Sequence, residues 1–120
     1  VGTLPEPMSA ADFMSMLKER FGVDNIQANE LLSRPITKVA VCGGAGSFLL
    51  EAAMKAGADA FVTGEMHYHE FFGHDQEVQI AVIGHYQSEQ FTAEVFRDIL
   101  EPMGVECVIA ETNTNPIINI

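Results

Sequence analysis

The apolar positions of this chain follow two different periods, and the change from one to the other divides it into elements. Phe13, Met16, Leu17 and Phe21 recur at the three- and four-residue spacing of a helix face. Ser9 precedes them as an N-cap, Asp12 stands three residues on in a capping-box position, and Gly22 supplies the stop. Ahead of this helix, Pro5 and Pro7 make Val1 to Pro7 an extended lead-in. After it, the less regular stretch Val23 to Ser33 holds one short strand candidate, Asn25 to Ala28.

From Ile36 strands and helices alternate. Thr37 to Cys42 (TKVAVC) reads as a strand, followed by the turn Gly43-Gly44-Ala45-Gly46 and a helix capped by Ser47 that runs to about Ala56 and stops at Gly57. Ala58 to Thr63 is a second strand, Glu65 to about His74 a short helix, and Gln79 to Ile83 a third strand. Gln87 to Met103 reads as one long helix with Phe91, Val95, Phe96, Ile99 and Leu100 on its apolar face, ended by Gly104. Val105 to Glu111 is a last strand, and Asn113 to Ile120 a tail expected to pack across a surface or a partner.

Such alternation builds βαβ units, and the continuous apolar runs KVAVC and QIAVI fit strands buried on both faces. The expected fold class is α/β, with a mostly parallel central sheet and helices on its faces. At 120 residues the chain holds one domain, and 48% hydrophobic residues suffice for a core. Six basic against seventeen acidic residues give a net charge of −11, which repels phosphate backbones and disfavours nucleic-acid binding. The longest apolar run, Val39 to Leu50, is interrupted by glycines and falls short of the ~18 residues of a membrane span. With no apolar leader, the expected location is the cytoplasm. Cys42 and Cys107 have neither metal-type nor redox-type spacing and read as small buried hydrophobes.

Ligands of α/β sheets bind at the carboxyl ends of strands. All four histidines lie on two of the strand-end segments, Thr63 to Asp75 and Gly84 to Glu89. His85 and Glu89 are four residues apart, which on a helix places both on one face, where they can ligate one divalent ion or two bridged ions. A loop-capping histidine beside a glutamate that favours a helix N-terminus explains the same spacing, and on spacing alone ranks higher. Glu65 and His69 repeat the interval after the preceding strand. The turn CGGAGS lacks both the Walker lysine and a third glycine, so a tight strand-to-helix turn outranks a phosphate cradle.

Together the segments KVAVCGGAGSFL, GADAFVTGEMHYHEFF, IGHYQSE and the closing NTNP resemble, in order, the C-terminal half of the Nif-three-like proteins. These are also called GTP cyclohydrolase I type 2-like, dinuclear metal-binding proteins. The resemblance implies a two-domain α/β architecture in which residues 1–120 form the C-terminal domain, the N-terminal half being absent and Val1 marking a boundary. It implies two divalent ions (zinc, iron or manganese) between the domains, with His85 and Glu89 as metal ligands from the family's G-H-x-x-S-E motif. Glu65 stands where the family has Asp, one methylene longer; with His69 it lines the site as an acid–base candidate. The other ligands belong to the N-terminal half, so this chain alone is expected to bind metal weakly or not at all.

The leading expectation is therefore the metal-binding domain of a dinuclear-metal-dependent hydrolase acting on a nucleotide or similar small molecule, with its site incomplete here. The alternative is a non-enzymatic interaction or scaffold module that forms homo-oligomers, as the family's ring-shaped assemblies and transcription-factor partners imply. A Rossmann-type nucleotide binder using CGGAGS ranks last, because no acidic residue ends the second strand.

Overall fold

A computed structural model describes residues 1–118 and has an α/β fold. The strands are β1 (Gly2–Met8), β2 (Gln27–Ala28), β3 (Ile36–Cys42), β4 (Ala60–Thr63) and β5 (Gln79–Val82). They form one sheet in the order β1-β3-β4-β5-β2, parallel at its centre (β3/β4 and β4/β5) and antiparallel at both edges. Every residue of β4 and β5 is buried, which is why these segments show no polar alternation. On one face Ala60, Val62, Ala81 and Ile83 pack with Phe13 and Leu17 of helix α1 (Ala10–Phe21). On the other, Phe61, Ile80 and Val82 pack with Leu50 and Ala53 of helix α2 (Leu50–Lys55). Phe13 and Phe61 are each 1% exposed, and burial of that order contributes about 2–3 kcal/mol per ring.

Local chemistry sets the element ends. The Ser9 hydroxyl accepts from the Asp12 backbone N–H at 3.1 Å, and Gly22 closes α1 at φ 62°. The extended lead-in pairs as edge strand β1, a place where Pro5 and Pro7 leave no ladder bond broken inside the sheet. Asp59, just before β4, accepts from the backbone N–H groups of Thr37 (3.0 Å) and Lys38 (2.9 Å) and pairs with Arg34. Burial pushes its carboxyl up, but those amides and the Arg34 guanidinium outweigh it and hold the pKa below the ordinary aspartate value. Gln79 is fully buried; its side-chain oxygen accepts from the Leu32 N–H and its amide donates to Asn29 Oδ1, both at 2.9 Å.

Five expectations are corrected. Ser47 does not cap a helix: it opens a 3-10 turn (Ser47–Leu49) ahead of α2, and its hydroxyl donates to Glu70 instead. Glu65 to His74 is not a helix but an extended lead into a 3-10 turn (Tyr68–Phe71), stopped by extended Phe72 and by Gly73 at φ 83°. The long helix is two, α3 (His85–Glu89) and α4 (Thr92–Leu100), followed by a 3-10 turn (Glu101–Met103). At the break the Thr92 hydroxyl donates to the Glu89 carbonyl at 2.7 Å, and Phe91 leaves the helix path to pack, tilted, against Phe21 with ring centroids 6.0 Å apart. Val105 to Glu111 is not a strand. The place beside β5 where it would dock is held by β2, and Val108 stays 91% exposed. Neither cysteine is fully buried; both are free and half-exposed. Of the tail, Asn113 to Ile118 is irregular, and its last two residues lie outside the described ones.

Candidate metal and ligand site

The parallel registers Cys42↔Thr63 and Thr63↔Val82 bring the carboxyl ends of β3, β4 and β5 to one edge. Glu65 leaves β4 and His85 leaves β5 there, side by side. His85 Nδ1 stands 2.9 Å from Glu65 Oε1, and His85 Nε2 stands 3.4 Å from Glu89 Oε2. In the neutral imidazole the first contact places the ring proton on Nδ1, and Nε2 then faces Glu89 with its lone pair. Donors on one tetrahedral ion at ordinary bond lengths lie roughly 3.3–3.5 Å apart, so the spacing of Nε2 and Oε2 suits a shared divalent ion. A carboxylate behind the other ring nitrogen is the usual support of a ligating histidine. All three side chains are about half exposed.

His69 is not drawn into this group. It lies on the exposed 3-10 turn, stacked on His67 with ring centroids 5.7 Å apart, and lines neither cavity beside His85. Its neighbour Glu70 accepts from the His67 backbone N–H at 2.6 Å and from Ser47 Oγ at 2.8 Å. Those two bonds hold the Glu70 carboxyl below the usual glutamate range. Among the described residues no cluster of three or more His, Cys, Asp or Glu side chains converges on one ion position. The chain thus presents two adjacent donors and a supporting carboxylate.

Two cavities flank the His85 ring. One, of about 530 Å³, reaches from Glu65 past Ser47, His67 and Gln87 to Asp24. The other, of about 760 Å³, lies between α3, α4 and the tail, with Glu89, Tyr86, Asn113 and Asn115 in its wall. One contributor, Asp24, sits in a stretch without periodicity and has no signal in the sequence. Ser88 is the serine of the G-H-x-x-S-E motif, which marks the residue but not what its hydroxyl touches. Ser88 Oγ accepts from the Gly44 N–H at 2.9 Å and donates to the His85 carbonyl at 2.7 Å. The turn CGGAGS therefore braces the histidine segment.

The sequence profile of Duf34/NIF3 (NGG1p interacting factor 3) matches residues 1–116. The chain belongs to the Duf34/NIF3 family. A GTP cyclohydrolase 1 type 2 homolog of Listeria monocytogenes is 31% identical over 125 residues, covering 97% of this chain and 33% of that protein. The homolog of Pyrococcus abyssi is 28% identical over 116 residues, 95% of this chain and 46% of that protein. The crystal structure of a Bacillus cereus protein related to NIF3 superposes with a TM-score of 0.77 at 28% identity, over 99% of this chain and 35% of the other. A Staphylococcus aureus structure shares the fold, with a TM-score of 0.81 at 21% identity, over 98% of this chain and 36% of the other. The chain spans about a third of the length of most of the curated relatives it matches across nearly its whole length. Among the described residues no helix is long and apolar enough to cross a membrane.

Proposed function

We propose that this chain is the part of a divalent-metal-dependent hydrolase that supplies His85 and Glu89 as ligands to a dinuclear centre. The observation that supports this is the pairing of Nε2 and Oε2 at 3.4 Å with Glu65 fixed behind Nδ1. When bound, zinc, iron or manganese supplies Lewis-acid activation of water for hydrolysis near neutral pH. Glu65 is engaged with His85 and so orients the ring. The two cavities against His85 are large enough for a nucleotide or a molecule of similar size, the substrate class that the relatives' name suggests. The missing donors come from outside this chain.

Manganese provides the test. Added to the labelled chain, it should broaden the resonances of His85 and Glu89 first and leave those of Lys18 and Lys55 sharp. Equal broadening of the other Asp and Glu side chains would remove the reading. Turnover is assayed with the intact polypeptide, metal-loaded, against a nucleotide panel beside His85→Ala; equal rates in both would exclude this site.

A second reading, a homo-oligomeric interaction module, is favoured by the outer face of α4 and the 3-10 turn after it. Val95, Phe96 and Ile99 on α4 and Met103 on the turn are 54–73% exposed, an apolar patch rare on monomers. Sedimentation decides it: a monomer at high concentration argues against self-association through α4.

A further inference from the structure

The geometry points to Ser88 as the positioning residue of this site, clamping the Gly44 peptide so that Glu65, His85 and Glu89 keep their mutual places; the inference rests on the metal-site reading above. Gly44 is a hub for three strand ends. Its N–H donates to Ser88 Oγ at 2.9 Å, and Ser88 lies on α3 between His85 and Glu89. Its carbonyl accepts from the backbone N–H groups of Gly64 (2.9 Å) and Glu65 (3.0 Å), and from Thr63 Oγ1 at 3.2 Å. Gly44 thus joins, through the two peptide planes that meet at its Cα, the backbone that carries Glu65 and the helix that carries His85 and Glu89. The same hydroxyl donates to the His85 carbonyl at 2.7 Å, which fixes the first turn of α3.

The surrounding glycines mark how closely these parts approach. A Cβ on Gly64 would stand 2.6 Å from Ser88 Oγ and 3.0 Å from His85 Cα. A Cβ on Gly44 would stand 2.7 Å from Glu89 Oε1, and one on Gly43 would stand 3.3 Å from both Glu89 Cγ and the Ser88 carbonyl. Ser88 fills the space those glycines leave, and it takes up the Gly44 N–H that an anion bound at this turn would need. The turn CGGAGS is in this sense a brace for the histidine helix. A five-residue helix such as α3 has too few internal bonds to hold itself in place, so a bridge to its neighbour has a large effect on its orientation.

The experiment compares Ser88→Ala with Ser88→Thr, which keeps the hydroxyl. Ser88→Ala should speed hydrogen exchange of the Gly44 amide about tenfold or more. It should also broaden the downfield His85 Nδ1–H resonance that Glu65 maintains, and weaken the manganese response at His85 about fivefold or more. Ser88→Thr should restore all three toward wild type. Unchanged Gly44 exchange and an unchanged Nδ1–H signal in Ser88→Ala would overturn the clamp. Both of those signals are read without metal, so a manganese response at this site that is unchanged in His85→Ala would sink the metal reading and still leave the clamp to be judged. If Ser88→Ala does not fold, slow Gly44 exchange with a sharp Nδ1–H signal in wild type and Ser88→Thr supports the clamp, and fast exchange in either overturns it.

Discussion

Gly44→Ala separates the stability of the fold from the geometry of the site. Gly44 has φ +64°, so an alanine there incurs the left-handed penalty of about 1–2 kcal/mol. Reduced freedom of the unfolded chain returns about 0.4–1 kcal/mol of that. The added Cβ would meet Glu89 Oε1 at 2.7 Å and His85 Nε2 at 3.4 Å. The second distance is ordinary contact. The first is too short, but Glu89 is half exposed and its carboxylate can swing into solvent at little cost. Net destabilisation should therefore be about 1 kcal/mol, while the His85–Glu89 pair is lost. Gly64→Ala is the contrast, because its Cβ would meet Ser88 Oγ at 2.6 Å, the Gly44 carbonyl at 2.7 Å and His85 Cα at 3.0 Å. Two of those are backbone atoms and cannot yield, so about 3 kcal/mol or more should be lost. Urea unfolding of the two variants with unchanged slope gives the stabilities, and manganese broadening at His85 reports the pair. Equal losses in the two variants, or a manganese response retained in Gly44→Ala, would refute the reasoning.

Two further predictions concern the frame behind the site. Asp59→Asn should cost about 2–3 kcal/mol at pH 7, since the carboxylate answers two backbone amides and Arg34. Because its folded pKa is depressed, that contribution is present above the unfolded value of about 4 and fades as the pH falls through the lower folded value. The gap between wild type and variant, followed by denaturation between pH 7 and 2.5, should narrow only below about pH 4; a constant gap contradicts the assignment. Gln79→Leu should cost about 2 kcal/mol by calorimetry, because the buried Leu32 N–H loses its partner and Asn29 Oδ1 keeps only the Ile80 N–H, and a neutral result would mean the network is dispensable.

The parts of the fold legible in the sequence are those whose cause is local or two-sided. KVAVC and QIAVI read as buried strands because both faces of β3–β5 are covered, and α1 read well because Ser9, Asp12 and Gly22 act within one helix turn. Misreadings fell where a distant contact wins. Phe91 has helical spacing but turns toward Phe21, seventy positions earlier in the chain, and Val105 to Glu111 has strand composition but no free edge beside β5. The strand-end concentration of histidines and carboxylates was enough to single out Glu65, His85 and Glu89, which parallel registers then bring together. His69 shared their spacing, but Gly73 and the capping of Glu70 onto His67 leave too little helix to carry it to the same place. Ser88 is visible as the serine of the G-H-x-x-S-E motif, but its role is not, because that depends on the Gly44 amide forty-four positions earlier.

Isothermal titration of the chain with zinc tests the central claim most directly. The account predicts association weaker than micromolar, abolished by either His85→Ala or Glu89→Ala, because two donors rarely retain an ion that ordinarily takes three or four protein ligands. Submicromolar binding, or weak binding indifferent to both substitutions, would contradict it.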